Sequence, residues 1–131
     1  MRLLLTGATG LLGKYVLKGA PPGARVIGVS RRRPSHLATE WITQDLLDFE
    51  KVRTLLRENH FDAVINAAGE GNVDKVEGSQ DRFHRLNVGL PELIAGEAAR
   101  LEYRFVHISS NAVFGGRAVP YSDFDSPSPI N

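Results

Sequence analysis

The sequence predicts a doubly wound α/β domain with a parallel sheet, and three observations predict it. Short runs that are apolar throughout recur along the chain. Each is separated from the next by a stretch with helical spacing or by a glycine- and proline-rich turn. The first of these runs breaks at a glycine-rich turn that leads directly into a helix. Strands without polar alternation need cover on both faces, which a parallel sheet with helical crossovers provides. Right-handed crossovers then give the strand order 3-2-1-4-5.

The elements follow in order. "RLLLT" (Arg2–Thr6) is the first strand, ended by Gly7. "LLGKYVLKG" has helical spacing, with Leu11, Leu12, Tyr15 and Val16 expected along one side, and "GAPPG" stops it. "RVIGVS" (Arg25–Ser30) is the second strand and "WIT" (Trp41–Thr43) a short third one. Asp48 is placed to cap a helix running to Asn59, with Val52, Leu55 and Leu56 facing inward. "DAVINAAG" (Asp62–Gly69) is the fourth strand. One long helix is expected from Asp81 to Leu101, and "RFVHISS" (Arg104–Ser110) is the fifth strand. Trp41 and Phe61 are expected in the core.

Composition narrows the function classes. The chain has 131 residues, one domain's worth, of which 42% are apolar and 24% charged. A net charge of +1 speaks against a general nucleic-acid binder. There is no cysteine, hence no disulfide and no thiolate chemistry, which fits a reducing compartment. No apolar run approaches membrane-spanning length, and "MRLLLTG" lacks a secretory pattern, so the expected address is the cytoplasm. His36, His60, His84 and His107 have no metal-ligand spacing, and no metal is expected. Neither a G-x-S-x-G elbow nor a Walker lysine is present.

Sheets of this kind bind ligands at the carboxyl ends of their strands. There, "TGATGLLG" sets Gly7, Gly10 and Gly13 between the first strand and the first helix. Gly7 permits the tight turn, Gly10 lets the backbone approach a pyrophosphate, and Gly13 lets helix and strand pack closely. The helix N-terminus offers N–H groups and a positive dipole end to the anion, and Thr9, Leu11 and Leu12 on the same turn are counted with the cradle. A glycine-rich turn without a ligand is the plainer alternative. After the second strand comes "SRRR" (Ser30–Arg33) where an NAD site would carry a carboxylate. Ser30, Arg31 and Arg32 suit the 2′-phosphate of NADP(H), the preferred cofactor, with NAD(H) as the alternative. A solvated basic loop is the plainer reading. Asp45 and Leu46, just past the third strand, could read and pack on an adenine, or Asp45 could be a helix-capping aspartate, a role that Asp48 is better placed to fill.

With these residues in view, the chain resembles the N-terminal part of an extended short-chain dehydrogenase/reductase, a Rossmann fold. Within that superfamily it is most similar to the dTDP-4-dehydrorhamnose reductase group. The resemblance rests on "TGATGLLG", "DAVINAAG", "VDKVE" (Val73–Glu77), "LNVGLPELIAGEAA" and "VHISSNAVFGG", in the family's order and spacing. It implies hydride transfer between NADP(H) and a nucleotide sugar. Ser110 matches the family's catalytic serine/threonine, with Ser109 the fallback; Ser110 could also cap its own backbone. Asn111 stands where these reductases often carry aspartate, and Ala112 where they often carry tyrosine. Asn66, Ala67, Ala68 and Gly69 end the fourth strand with residues small enough for a cofactor's ribose and nicotinamide to lie close. Asn87 matches a helix asparagine of the superfamily and is read as a structural hydrogen-bonder. Asp74 and Glu77 are read as structural.

The family's proton donor is a tyrosine four residues before a lysine, its pKa lowered by that lysine. Tyr15, Tyr103 and Tyr121 are followed at that distance by Gly19, His107 and Asp125. The expectation is therefore an incomplete domain, with later strands, the Tyr-Lys pair and the substrate-binding region lying beyond residue 131. The fifth strand would then be an uncovered apolar edge, and burial of that edge by a second copy in a homo-oligomer is a further expectation. Three readings stay open: the cofactor part of a nucleotide-sugar reductase, an NAD-dependent epimerase or dehydratase relative, and a non-catalytic NADP-binding regulatory protein.

Overall fold

A computed structural model describes residues 1–35, 39–71, 79–116 and 120–129. Five parallel strands form one sheet in the order β3-β2-β1-β4-β5. They are β1 (Arg2–Thr6), β2 (Arg25–Ser30), β3 (Glu40–Thr43), β4 (Ala63–Asn66) and β5 (Arg104–His107). The helices are α1 (Leu11–Lys18), α2 (Phe49–Glu58), α3 (Gln80–His84) and α4 (Leu90–Leu101), with one π-helical turn at Arg85–Gly89 joining the last two. Among the described residues, no helix is long and apolar enough to cross a membrane.

The all-apolar strands split their side chains between two cores, as a pleated backbone requires. Leu4, Ile27, Val29 and Val64 pack with Val52, Leu56, Leu90 and Ile94, on the face covered by α2 and α4. Leu3, Leu5, Val26 and Ala63 face the other way, toward Val16 and Leu17 of α1. Gly28 is required on that second face: a Cβ there would run into the Trp41 indole, which lies across the strand. Phe61 is buried and Trp41 is half-buried.

Several boundaries and one face differ from the sequence reading. β4 stops at Asn66 and β5 at His107, because the chain turns away where strand pairing ends and the site begins. Asp48 does cap α2, its carboxylate accepting from the Lys51 amide at 3.2 Å, but the helix ends at Glu58. The expected long helix runs without a gap from Gln80 to Leu101, but with a π turn inside it that carries Asn87. On α1, of the four residues expected along one side only Val16 meets the core, joined by Leu17, while Leu11, Leu12 and Tyr15 are exposed. The reason is Gly13, the one buried residue of α1, whose bare backbone lies against Gly7 and Ala8 and sets the helix's roll. Val106 and Ile108 leave an exposed apolar edge along β5. Asp74 and Glu77 lie outside the described residues.

Candidate functional site

The turn between β1 and α1 is set by main-chain geometry. Gly7 has φ +64, a left-handed conformation that a side chain resists, and a Cβ there would also meet the Ala67 main chain. The Gly10 amide then donates to the Gly7 carbonyl at 2.9 Å, and the Lys14 amide donates to Gly10 O at 3.1 Å. Gly10 is the N-cap of α1, without a side-chain cap, and no acidic residue occupies the first turn. A helix start of that kind presents N–H groups and a positive dipole end outward. A Cβ on Gly10 would find only Gly7 O, at 3.2 Å, so the protein's own packing does not forbid one. Gly13 is the opposite case, and its requirement is internal.

Above this turn lies a cavity of about 310 Å³, at the carboxyl ends of four strands. It gathers Gly7, Thr9 and Gly10 from the turn, Ser30 and Arg31 from the end of β2, Asp45 and Leu46 from the end of β3, and Ala67, Ala68 and Gly69 after β4. An adjoining cleft is lined by Thr9, Ser30, Arg31 and Arg32. Ser30 Oγ donates to the Arg32 carbonyl at 2.6 Å and accepts from Trp41 Nε1 at 3.1 Å, which folds the basic loop back over the cleft. Among the described residues, Arg31, Arg32 and Arg33 have no carboxylate partner. Asp45 does not cap the helix, which Asp48 does; it accepts from the Leu47 amide at 3.0 Å and lines the cavity. Leu46 joins the core from one side and the cavity from the other.

A further cavity of about 340 Å³ meets the first at Ala68 and Gly69. His107, Ser109, Ser110 and Asn87 line it. Ser110 Oγ accepts from the Ala112 amide at 3.1 Å, capping the short turn Asn111–Val113, so its capping role and its place at the cavity coexist. Asn87 clamps the chain after β4: its Oδ1 accepts from the Glu70 amide and its Nδ2 donates to the Glu70 carbonyl, each at 2.9 Å. No tyrosine lines this cavity. Tyr15 is exposed on the outer side of α1, and Tyr121 stacks on Phe114 with ring centroids 4.3 Å apart. Tyr103 is buried against α4; burial first, and the Glu97 charge second, push its hydroxyl up to about 12.

Not every expected residue reaches a cavity. Leu11, Leu12 and Gly13 line none of those described above, and only their backbone belongs to the cradle. Asn66 is wholly buried; its Oδ1 accepts from Thr6 Oγ1, and its Nδ2 is 3.0 Å from His107 Nδ1. Conversely, Leu47, Arg82 and Leu86 line the first cavity, and His107 the other, without having been singled out. Arg82 and Leu86 stand four apart on the helical stretch after β4, so one face of that stretch looks into the cavity. Their signal was only that spacing, next to Asn87.

A parallel sheet in this order, with an uncapped glycine turn at the carboxyl end of its first strand, defines a Rossmann-type domain. The chain belongs to the family described as RmlD substrate binding domain, which matches residues 1–131. It is 38% identical to methionine adenosyltransferase 2 subunit beta of Rattus norvegicus, over 99% of this chain and 38% of that protein. Among solved structures, a hypothetical dTDP-4-dehydrorhamnose reductase from Sulfolobus tokodaii superimposes with a TM-score of 0.87 at 30% identity, covering 100% of this chain and 47% of that one. MoeE5 in complex with UDP-glucose and NAD matches with a TM-score of 0.81 at 25% identity, over 99% and 43% of the two chains. The chain thus spans less than half the length of these relatives.

Proposed function

We propose that residues 1–131 are the cofactor-binding part of an NADP(H)-dependent oxidoreductase that acts on a nucleotide sugar of the dTDP-4-dehydrorhamnose type. The observation that carries this reading is the single cavity shared by Gly7, Gly10, Ser30, Arg31, Asp45, Leu46 and Ala68. The residues fit a dinucleotide: Gly10 is free of side-chain bulk where nothing in the protein demands it, and the α1 terminus beneath it is uncapped. The first-turn N–H groups would hold the pyrophosphate, and Asp45 and Leu46 the adenine. Arg31, with Ser30 and Arg32, would hold the 2′-phosphate through charge-assisted hydrogen bonds. Ala68 and Gly69 leave room for the nicotinamide half, which when bound supplies the hydride. Ser110 would hold the reacting oxygen of the sugar, and Asn87 keeps the chain after β4 in place through Glu70. The proton donor in this reading is a Tyr-Lys pair from outside residues 1–131.

Titration with NADPH and NADH tests the cofactor. NADPH is expected to bind more tightly, and Arg31→Ala to weaken NADPH by about 10- to 100-fold, the worth of charged hydrogen bonds. NADH should change by about twofold or less, having no phosphate there to lose. Equal affinities and an inert variant would remove the 2′-phosphate from the proposal.

The similarity to a subunit named methionine adenosyltransferase 2 subunit beta favours a second reading, a dinucleotide-binding regulatory protein. Asn111 and Ala112, where reductases of the group often carry aspartate and tyrosine, lean the same way. A Tyr-Gly-x-x-Lys run encoded downstream of Asn131 decides for the enzyme, and its absence for the regulatory protein.

A further inference from the structure

One line of hydrogen bonds crosses the carboxyl ends of β1, β4 and β5. The Ala68 amide donates to Thr6 Oγ1 at 3.3 Å. The hydroxyl keeps its own proton to give, and with Asn66 Oδ1 on its other side Thr6 Oγ1 donates to it. That leaves the Asn66 amide nitrogen, a donor only, facing His107 Nδ1 at 3.0 Å. Nδ1 accepts, and in the neutral ring the proton sits on Nε2. Thr6 and Asn66 are 1% and 0% exposed, so water does not compete for the bond between them, while His107 at the end of the line is exposed. Phe105 lies nearly parallel to the imidazole, 15° between planes and 6.2 Å between centroids, and steadies the ring.

His107 lines the cavity of Ser109 and Ser110, which meets the first cavity at Ala68 and Gly69. We propose that His107 is a further cofactor-binding residue, its Nε2–H donated to an acceptor oxygen of the nicotinamide riboside half of the dinucleotide. The assignment rests on the dinucleotide reading above and adds a residue to it. With the adenosine half at Ser30, Arg31, Asp45 and Leu46 and the pyrophosphate at Gly10, the other half extends toward β4 and β5. On that side, among the described residues, His107 has its Nδ1 taken by Asn66, which leaves Nε2–H as its donor. Two oxygens can answer it, the nicotinamide carboxamide or a hydroxyl of its ribose. Metal ligation is the lesser use of this ring: among the described residues no group of three His, Cys, Asp or Glu side chains could hold an ion.

The test compares the 131-residue chain with His107→Phe, which keeps the ring stack and loses the donor. Three ligands sharing the 2′-phosphate are titrated: NADPH, 2′-phospho-ADP-ribose and 2′,5′-ADP. The variant is expected to weaken NADPH by about 3- to 10-fold, the worth of one neutral hydrogen bond, and to leave 2′,5′-ADP unchanged. A matching loss for 2′-phospho-ADP-ribose assigns the ribose hydroxyl; no loss there assigns the carboxamide. Equal effects on all three ligands, or no effect on NADPH, overturn the assignment alone. Failure of the unsubstituted chain to bind even 2′,5′-ADP sinks the dinucleotide reading, and this residue with it. Long-range ¹⁵N spectra of the imidazole give a ligand-free check: a protonated Nε2 is expected, and a protonated Nδ1 overturns the inferred donor.

Discussion

A Gly7→Ala chain is expected to lose on the order of 3–5 kcal/mol of stability, a large part of what a domain of this size holds. Two costs combine. At φ +64 an alanine pays for a left-handed backbone, and its Cβ has no room, because the Ala67 main chain sits where it would go. Neither neighbour can yield cheaply: Gly7 O accepts the Gly10 amide, and the Ala67 amide donates to Thr6 O at 3.3 Å. Gly23→Ala is the control. It has φ +81 with no atom within 4 Å of the added carbon, so it carries the backbone cost of about 1 kcal/mol and no collision. Gly10→Ala completes the series, expected within about 1 kcal/mol of the unsubstituted chain in stability while weakening dinucleotide binding. Urea midpoints measure all three. If Gly7→Ala and Gly23→Ala unfold at the same denaturant concentration, the close approach of β4 to the turn does not constrain the fold.

The glycine turn was legible from sequence where other parts were not. Gly7, Gly10 and Gly13 act within one turn, so their spacing carries their meaning. The sheet order was legible for a related reason: Leu3, Leu4 and Leu5 need two covered faces, and alternating helices supply them. The face of α1 was not. Periodicity weighs side chains, and the helix is seated by a residue that has none, leaving Leu11, Leu12 and Tyr15 outside. At Arg85–Gly89 the π turn inserts an extra residue into the helical phase, which a single 3.6-residue period cannot follow. Asn66 carries a polar side chain at a strand end and so reads as a cavity residue. Its amide turns inward instead because Thr6 and His107, 60 and 41 residues away, offer it partners. His107 was set aside for the matching reason: a lone histidine in a strand means little until the chain that orients it is visible.

Glu97→Gln is expected to cost about 1–2 kcal/mol near neutral pH, and the difference should shrink as the solution is acidified. Glu97 on α4 is buried, and its carboxylate bridges to α2. Arg57 donates to it through Nε at 2.9 Å and Nη2 at 2.6 Å, and Arg100 Nη2 lies at 2.8 Å. Arg53 Nε adds a contact at 3.4 Å. The Arg57 hydrogen bonds, opposed by desolvation and reinforced by Arg100, hold this carboxyl down from 4.5 to about 2. A carboxyl with a depressed folded-state pKa stabilises the fold above its unfolded value and loses that contribution as pH falls through the folded one. The window here runs from about 4.5 down to about 2. The full shift would be worth roughly 3 kcal/mol, but the three arginines are a third to half exposed, and solvent screening reduces it. Glutamine keeps the shape and some hydrogen bonding but not the charge, leaving three guanidinium groups around a neutral amide. Chemical denaturation of both chains from pH 7 to pH 2.5 measures the effect. Parallel stability curves that never converge would mean that the loss comes from packing, and that Glu97 does not join the two helices through its charge.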